Sequence, residues 1–380
     1  FGKTEIAIRS AYLSVLNGGG VVVLAPTTIL TNQLYECFKE RLSSFGVVVG
    51  AVSRLQKDHK KTIFSFLNNK TDVLIATHSV LFKLDVLKKC GLFIVDEEHR
   101  FGVKQKELIF ETNPCADYLA LSATPIPRSM QFCVSKIRNF SLIKTPPITR
   151  KPIISSVHFF DLDFVYSCII KEINRGGQVF FVDNSVEKLS SLLTVFSHRF
   201  PGVVSKIVHG GLAPKEISST MDSFVSKKTQ VLFSTVIIES GIDIPSANTI
   251  IINNSHLLGL AQLHQLRGRV GRSQTQAFAF FLVPSISQIT NNGKKRLSSI
   301  VKNQRLGSGY SLSLSDLEIR GGGFLFGFKQ SGFSSVGFEF YSKVLSSFLG
   351  SKEEEGECFV DCFNGFLPFS YVPDSGVRSH

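Results

Sequence analysis

Gly2-Lys3-Thr4 stands directly before a helix-like segment, Glu5 to Leu16. It matches the last three positions of G-x-x-x-x-G-K-[ST]. In that loop backbone N–H groups surround phosphates, the lysine reaches the β- and γ-phosphates, and the hydroxyl ligates magnesium. Gly2, Lys3 and Thr4 are therefore candidate nucleotide-binding residues, with Thr4 a candidate magnesium ligand. Alone, the tripeptide reads as chance far more often than as a phosphate loop. Asp96-Glu97-Glu98-His99 follows the apolar run Leu92 to Val95. The C-terminal end of a buried strand is where a parallel sheet places its chemistry. There Asp96 would hold magnesium through water, and Glu97 would orient and deprotonate an attacking water. The plainer reading is a solvated acidic turn, but a carboxylate pair capping an apolar strand needs a cation or other partners.

The densest stretch is Leu263 to Arg272, LHQLRGRVGR, where three arginines are spaced by glycines with no acidic neighbour. Guanidinium forks meet phosphate oxygens bidentately. A basic nucleic-acid patch is the rival reading. The company of a phosphate loop and an acidic pair favours Arg269 and Arg272 as arginine fingers. Gly241 and Asp243, within Ser234 to Asp243, would join the nucleotide side of the cleft. Ser122-Ala123-Thr124-Pro125 could relay the nucleotide state. Thr27, Thr77 and Thr235 each follow a strand-like run and could donate to a nucleic-acid phosphate. A simple turn or helix cap explains each threonine equally well.

These residues need strands to carry them. Val21–Leu24, Val73–Ala76, Leu92–Val95 and Tyr118–Leu121 are β-branched or apolar runs, separated by helix-length segments such as Thr31–Leu42 and Ser53–Leu67. That alternation predicts a parallel sheet with helices on both faces. Thr145-Pro146-Pro147 and Lys151-Pro152 interrupt it as a linker. It then restarts at Gln178–Val182, Val203–Val208, Val231–Phe233, Thr249–Ile252 and Ala277–Val283. From about Lys294 the chain reads as short helices joined by glycine turns.

The 380 residues carry a formal net charge of +12, which suggests a polyanionic partner. Seven dispersed cysteines fit reduced thiols rather than a disulfide framework or structural zinc. No run has the length of a membrane span, and a cytoplasmic protein is expected. The chain starts with Phe1, which would be the last spacer of the phosphate loop. A stretch of a longer protein, truncated at both ends, is expected.

In order, the motifs resemble a superfamily 2 helicase or translocase with two RecA-like domains. DEEHRFGV (Asp96 to Val103), LSATPIPRSM (Leu121 to Met130), IIESGIDIPSANTIII (Ile237 to Ile252) and GLAQLHQLRGRVGRS (Gly259 to Ser273) resemble the bacterial transcription-repair coupling factors. LGSGYSLSLSDLEIRGGG (Leu306 to Gly323), KQSG (Lys329 to Gly332) and GFEFY (Gly337 to Tyr341) resemble that family's translocation motif. The branch-migration helicase RecG shares the Arg-Gly-Arg run but usually carries Gln where this chain has Glu98. Ser122 and Gly322 replace the family's usual Thr and Ala.

The resemblance implies an α/β fold: two RecA-like parallel-sheet domains followed by a small helical-hairpin translocation motif. The expected domains are 1–147 (ATP-binding), 148–295 (helicase C-terminal), 296–350 (translocation motif) and 351–380 (linker and the start of a further domain). It implies ATP and Mg2+ as cofactors, with Lys3, Thr4 and Asp96 binding them and Glu97 driving hydrolysis. Gln265, Arg269 and Arg272 complete the site from the second domain. Arg320 and Gln330 sit in the translocation motif. Implied partners are double-stranded DNA and, in the full protein, RNA polymerase and excision-repair proteins. A RecG-like enzyme and a catalytically dead DNA-binding remnant are the alternatives.

Overall fold

A computed structural model describes residues 2–54, 58–122, 141–143, 145–146, 150–236, 244, 246–309, 311–312 and 315–316. Gly241, Asp243, Arg320, Gln330, the relay candidates at 123–125 and the motifs beyond Asp316 lie outside the described residues.

The first unit runs α1 (Lys3–Leu16), β1 (Gly20–Leu24), α2 (Thr28–Leu42), β2 (Val49–Val52), α3 (His59–Leu67), β3 (Val73–Ala76), α4 (Leu84–Lys89), β4 (Cys90–Asp96), α5 (Val103–Thr112) and β5 (Asp117–Leu121). Its five strands are all parallel, in the order β2-β3-β1-β4-β5. Side chains alternate between two buried faces, as period-two geometry requires. Val21, Val23, Val73, Ile75, Leu92 and Ile94 meet α1 and α2, whereas Val22, Leu24, Leu74, Phe93 and Val95 meet α3, α4 and α5. This is why the strands read as unbroken apolar runs. Each fully buried side chain of this size stabilises the fold by roughly 1.5–3 kcal/mol before entropy is counted.

The second unit runs β6 (Ile154–Phe159), α6 (Leu162–Asn174), β7 (Gln178–Val182), α7 (Val186–Arg199), β8 (Ser205–Val208), α8 (Pro214–Val225), β9 (Val231–Ser234), β10 (Ala247–Ile252), α9 (Leu260–Arg267), β11 (Phe278–Val283) and α10 (Asn291–Lys302). Six parallel strands stand in the order β6-β11-β10-β7-β9-β8. Val179, Phe181 and Ile251 pack under α6 and α7; Phe180, Val182, Ile250 and Ile252 pack under α8, α9 and α10. Ile29, at the start of α2, packs against this second core and joins the two units.

Two parallel-sheet α/β units are present, as the alternation predicts. Two strands escaped it. β2 contains Gly50 and Ala51 and offers little apolar bulk. β6 is an edge strand with two serines and mixed burial. The helix expected from Ser53 begins instead at His59. On the open side of β6, Gln304 acts as a substitute neighbour: its Nε2 donates to Ser155 O (3.0 Å) and its Oε1 accepts from Ser155 N (3.4 Å). Among the described residues no helix is long and apolar enough to cross a membrane.

Candidate nucleotide site

In each sheet the strand order reverses at one place, between β1 and β4 and between β7 and β10. Ligands of open α/β sheets bind outside the carboxyl ends of strands at such reversals. Asp96 ends β4 there. Glu97 follows with φ 50° and ψ 51°, a left-handed conformation that costs a non-glycine residue roughly 1–2 kcal/mol. The turn is held partly by the Glu97 N–H donating to Asp96 Oδ1 (3.0 Å).

Gly2 precedes α1 with φ 66°. A side chain there would meet no neighbouring atom, so the backbone angle, and not space, favours glycine. No side chain caps the first turn of α1, and Thr4 is exposed beside it. Lys3 reaches from this helix start to both carboxylates: Nζ lies 3.3 Å from Asp96 Oδ1 and 3.1 Å from Glu97 Oε1. Lys3, Asp96 and Glu97, 93 and 94 positions apart, therefore form one charged cluster.

Burial pushes the Glu97 carboxyl up. Lys3, by charge and hydrogen bond, His99 and Arg269 together outweigh burial and hold it below the usual carboxylate range. Glu97 is thus ionised at neutral pH. Its Oε2 is buried and accepts no hydrogen bond from the described residues, with His99 Nδ1 at 3.5 Å. Burial depresses His99 in turn, against the pull of Glu97. A neutral His99 can accept at Nε2, where the Gln265 amide nitrogen lies 3.0 Å away. This bond runs from the second unit to the first. Arg269 is buried, and its charge acts on Glu97. Arg272 is exposed, beyond Gly271. Gly271 has φ 72°, and a Cβ there would press to 3.0 Å on Ile153 and Ala277.

The third arginine of the run goes elsewhere. Arg267 is buried and donates to the carbonyls of Ile300 and Asn303 and to Ser308 Oγ. Sequence reasoning gave His99 and Arg267 no role. His99 was findable two positions after Glu97, but nothing in the run separates Arg267 from its neighbours. Glu98 is buried and paired with Lys106 at 3.2 Å, away from the Lys3 cluster.

Thr27 accepts from Leu30 N (3.3 Å) and so caps α2. The Thr77 hydroxyl bonds to Ser79 Oγ at 3.0 Å. Thr235 follows β9, its N–H donating to Val208 O. All three lie just past the carboxyl ends of strands.

The family model for DEAD/DEAH box helicases matches residues 1–132, and that for the helicase conserved C-terminal domain matches 162–274. The transcription-repair-coupling factor of Borreliella burgdorferi is 40% identical over 98% of this chain, and that of Myxococcus xanthus 44% identical over 91%. The chain belongs to the transcription-repair-coupling factor family. It spans 34% and 29% of those two relatives' lengths. A solved structure of RecG bound to a three-way DNA junction is 31% identical, with a TM-score of 0.71, over 91% of this chain and 46% of that one. A Saccharomyces cerevisiae Dbp5 structure, 16% identical with a TM-score of 0.59 over 92% of this chain and 86% of its own, shares the fold alone. Both family models match stretches that hold cluster residues: Lys3, Asp96, Glu97 and His99 in the first, Gln265 and Arg269 in the second.

Proposed function

We propose that this chain is the ATP-driven motor core of a double-stranded DNA translocase. The observation that carries the reading is the single cluster in which Lys3 meets Asp96 and Glu97 while Gln265 and Arg269 approach from the other sheet. The donor set fits a magnesium–nucleotide. A lysine and an uncapped helix start suit phosphate, the carboxylates suit a hard cation, and Glu97 Oε2 is a buried acceptor without a donor among the described residues.

When bound, Mg2+ and ATP supply the phosphoanhydride bond and the charge that draws the two units together. Lys3 and Thr4 would hold phosphate and metal, and Asp96 would help hold the metal. Glu97, ionised by its cationic neighbours, takes the proton of the attacking water at its carboxylate. His99 receives Gln265 and so registers the position of the second unit. Arg269 and Arg272 place positive charge where the phosphoryl oxygens gain negative charge. The family resemblance assigns nucleotide binding to Gly241 and Asp243 as well. Thr27, Thr77 and Thr235 contact the DNA backbone, and Arg320 and Gln330 carry the cycle into stepping. The proposed domain limits, 1–147, 148–295, 296–350 and 351–380, rest on the sequence alone.

In the complete protein, movement on duplex DNA pushes a stalled RNA polymerase forward and admits excision-repair proteins, in the bacterial cytoplasm. The RecG likeness supports a second reading, a branch-migration motor. Displacement of a stalled polymerase as against regression of a forked DNA separates the two. The primary test is DNA-stimulated ATP turnover, measured on the chain and on the chain preceded by a complete G-x-x-x-x-G-K-T loop. Absence of turnover in both sinks the motor reading.

A further inference from the structure

The connection between the two units ends at Arg150-Lys151-Pro152-Ile153, and this end is stitched to the stretch that follows the arginine run. Pro152 fixes its own φ and biases Lys151 toward an extended backbone, so no helix forms here. Three hydrogen bonds join the two segments. Arg150 Nε donates to Gly271 O (3.1 Å), Gln276 Nε2 to Pro152 O (2.8 Å) and Ile154 N to Ala277 O (3.0 Å). The third belongs to the pairing of β6 with β11, whose register starts at Ile154 opposite Phe278. Backbone pairing supplies that bond whatever side chain stands at 150. The first is different: it lies ahead of the paired strands and is made by a side chain. Its donor is a guanidinium, which makes it stronger than a bond between neutral groups.

Gly271 stands between buried Val270 and exposed Arg272. Its carbonyl and the Arg272 nitrogen share one planar peptide unit, so a group that fixes the carbonyl fixes the plane from which Arg272 starts. Packing narrows the freedom further. A Cβ on Gly271 would come within 3.0 Å of Ile153 Cγ1, and Ile153, Val270 and Ala277 share one apolar core. On the other side of Arg272, Ser273 Oγ donates to Asn248 Oδ1 of β10 (3.0 Å). The Arg150 charge also bears on His264, the residue before Gln265 on α9. Arg150 thus stands between the connection, α9 and the turn that carries Arg272.

We infer that Arg150 is a positioning residue for the arginine turn: by holding the Gly271 carbonyl it sets where Arg272 stands when the two units meet a nucleotide. This rests on the arginine-finger reading of Arg272 above. It gives the connection between the units a part in the site beyond tethering. A finger acts on charge that develops during phosphoryl transfer, so its misplacement costs the transition state more than the bound nucleotide.

The test uses the chain preceded by its complete phosphate loop, with Arg150→Met, Arg150→Lys, Arg272→Ala and the double variant Arg150→Met/Arg272→Ala. Affinity is measured for Mg-ADP and for Mg-ADP with aluminium fluoride, a mimic of the phosphoryl group in transfer, beside kcat and KM for ATP. Arg150→Met should bind Mg-ADP within about threefold of the parent, yet bind the fluoride complex about tenfold or more weakly, with kcat falling similarly and KM nearly constant. Arg150→Lys keeps a donor and should recover part of both losses. In the Arg272→Ala background, Arg150→Met should add less than about twofold, because its effect runs through the missing side chain. Should Arg150→Met not fold, Arg150→Lys alone and with Arg272→Ala carries the same comparison at smaller amplitude. Equal weakening of both complexes, an unchanged fluoride complex, or losses that multiply in the double variant overturns the inference. An Arg272→Ala variant that matches the parent sinks the finger reading and this inference with it. A parent without turnover sinks the motor reading.

Discussion

Gln265 Nε2 and His99 Nε2 lie 3.0 Å apart, joining residues 166 positions distant in the chain. With the amide nitrogen as donor, His99 must accept, which places its proton on Nδ1, toward Glu97. Its pKa is depressed from the ordinary 6.5 by burial, so the neutral ring persists through neutral pH. Protonation, as pH falls through the depressed value, removes the acceptor. Gln265→Ala and His99→Ala should each slow ATP turnover, and the double variant should be no slower than the worse single one. A double-mutant cycle of turnover rates measures this, with a coupling of about 0.5–3 kcal/mol expected.

Glu97→Gln removes the carboxylate and keeps the shape. Hydrolysis should fall on the order of a hundredfold or more, while nucleotide binding persists through Lys3. Fluorescent-nucleotide titration beside a phosphate-release assay separates the two. Unchanged turnover would reject Glu97 as the base.

The three arginines should part company. Arg269→Ala removes a buried charge next to Glu97 and should cost on the order of a thousandfold in turnover. It should also let the Glu97 carboxyl rise. Arg267→Met should leave turnover nearly intact. Steady-state kinetics on both variants decides whether the run divides as the geometry divides it.

His264 gives a stability prediction. Burial, then Arg267 and Arg150, pushes it down to about 3. The unfolded chain, with an ordinary histidine near 6.5, binds the proton more readily. Stability from this group is therefore complete above pH 6.5 and is lost as pH falls toward 3. The slope is about 1.4 kcal/mol per pH unit, so roughly 2 kcal/mol disappears between pH 6.5 and 5. Urea unfolding at several pH values, compared with His264→Gln, isolates it. Equal slopes in parent and variant would exclude His264 as the source.

Thr27→Ala should lower stability by about 1 kcal/mol, because the hydroxyl caps α2, and Thr27→Ser should restore it. DNA affinity measured across salt concentrations then reports any phosphate contact of the same hydroxyl. A lost contact weakens binding beyond the effect on folding.

Much of this architecture was legible in the chain. Strands buried on both faces, such as Val21–Leu24 and Val73–Ala76, cannot hide in a sequence, because every position must be apolar. β6 could hide, since an edge strand tolerates Ser155 and Ser156. β2 could hide because Gly50 fits against Thr62 and Thr71, where larger side chains would not. In the site, Lys3, Asp96 and Glu97 were readable because charge at a helix start and at a strand end has few other uses. The assignment of Arg267 was not readable. Which way an arginine points depends on the angular position of Gln265 and on an α10 that begins 24 residues after Arg267, and neither is local.

The Gln304 carboxamide has a consequence for how the protein behaves in company. A parallel sheet ending in an open strand offers its last row of amides and carbonyls to any passing extended chain. By occupying both polar groups of Ser155, one side chain imitates the strand that is not there. It therefore leaves one fewer pair of open edge groups on β6 for an extended chain to meet.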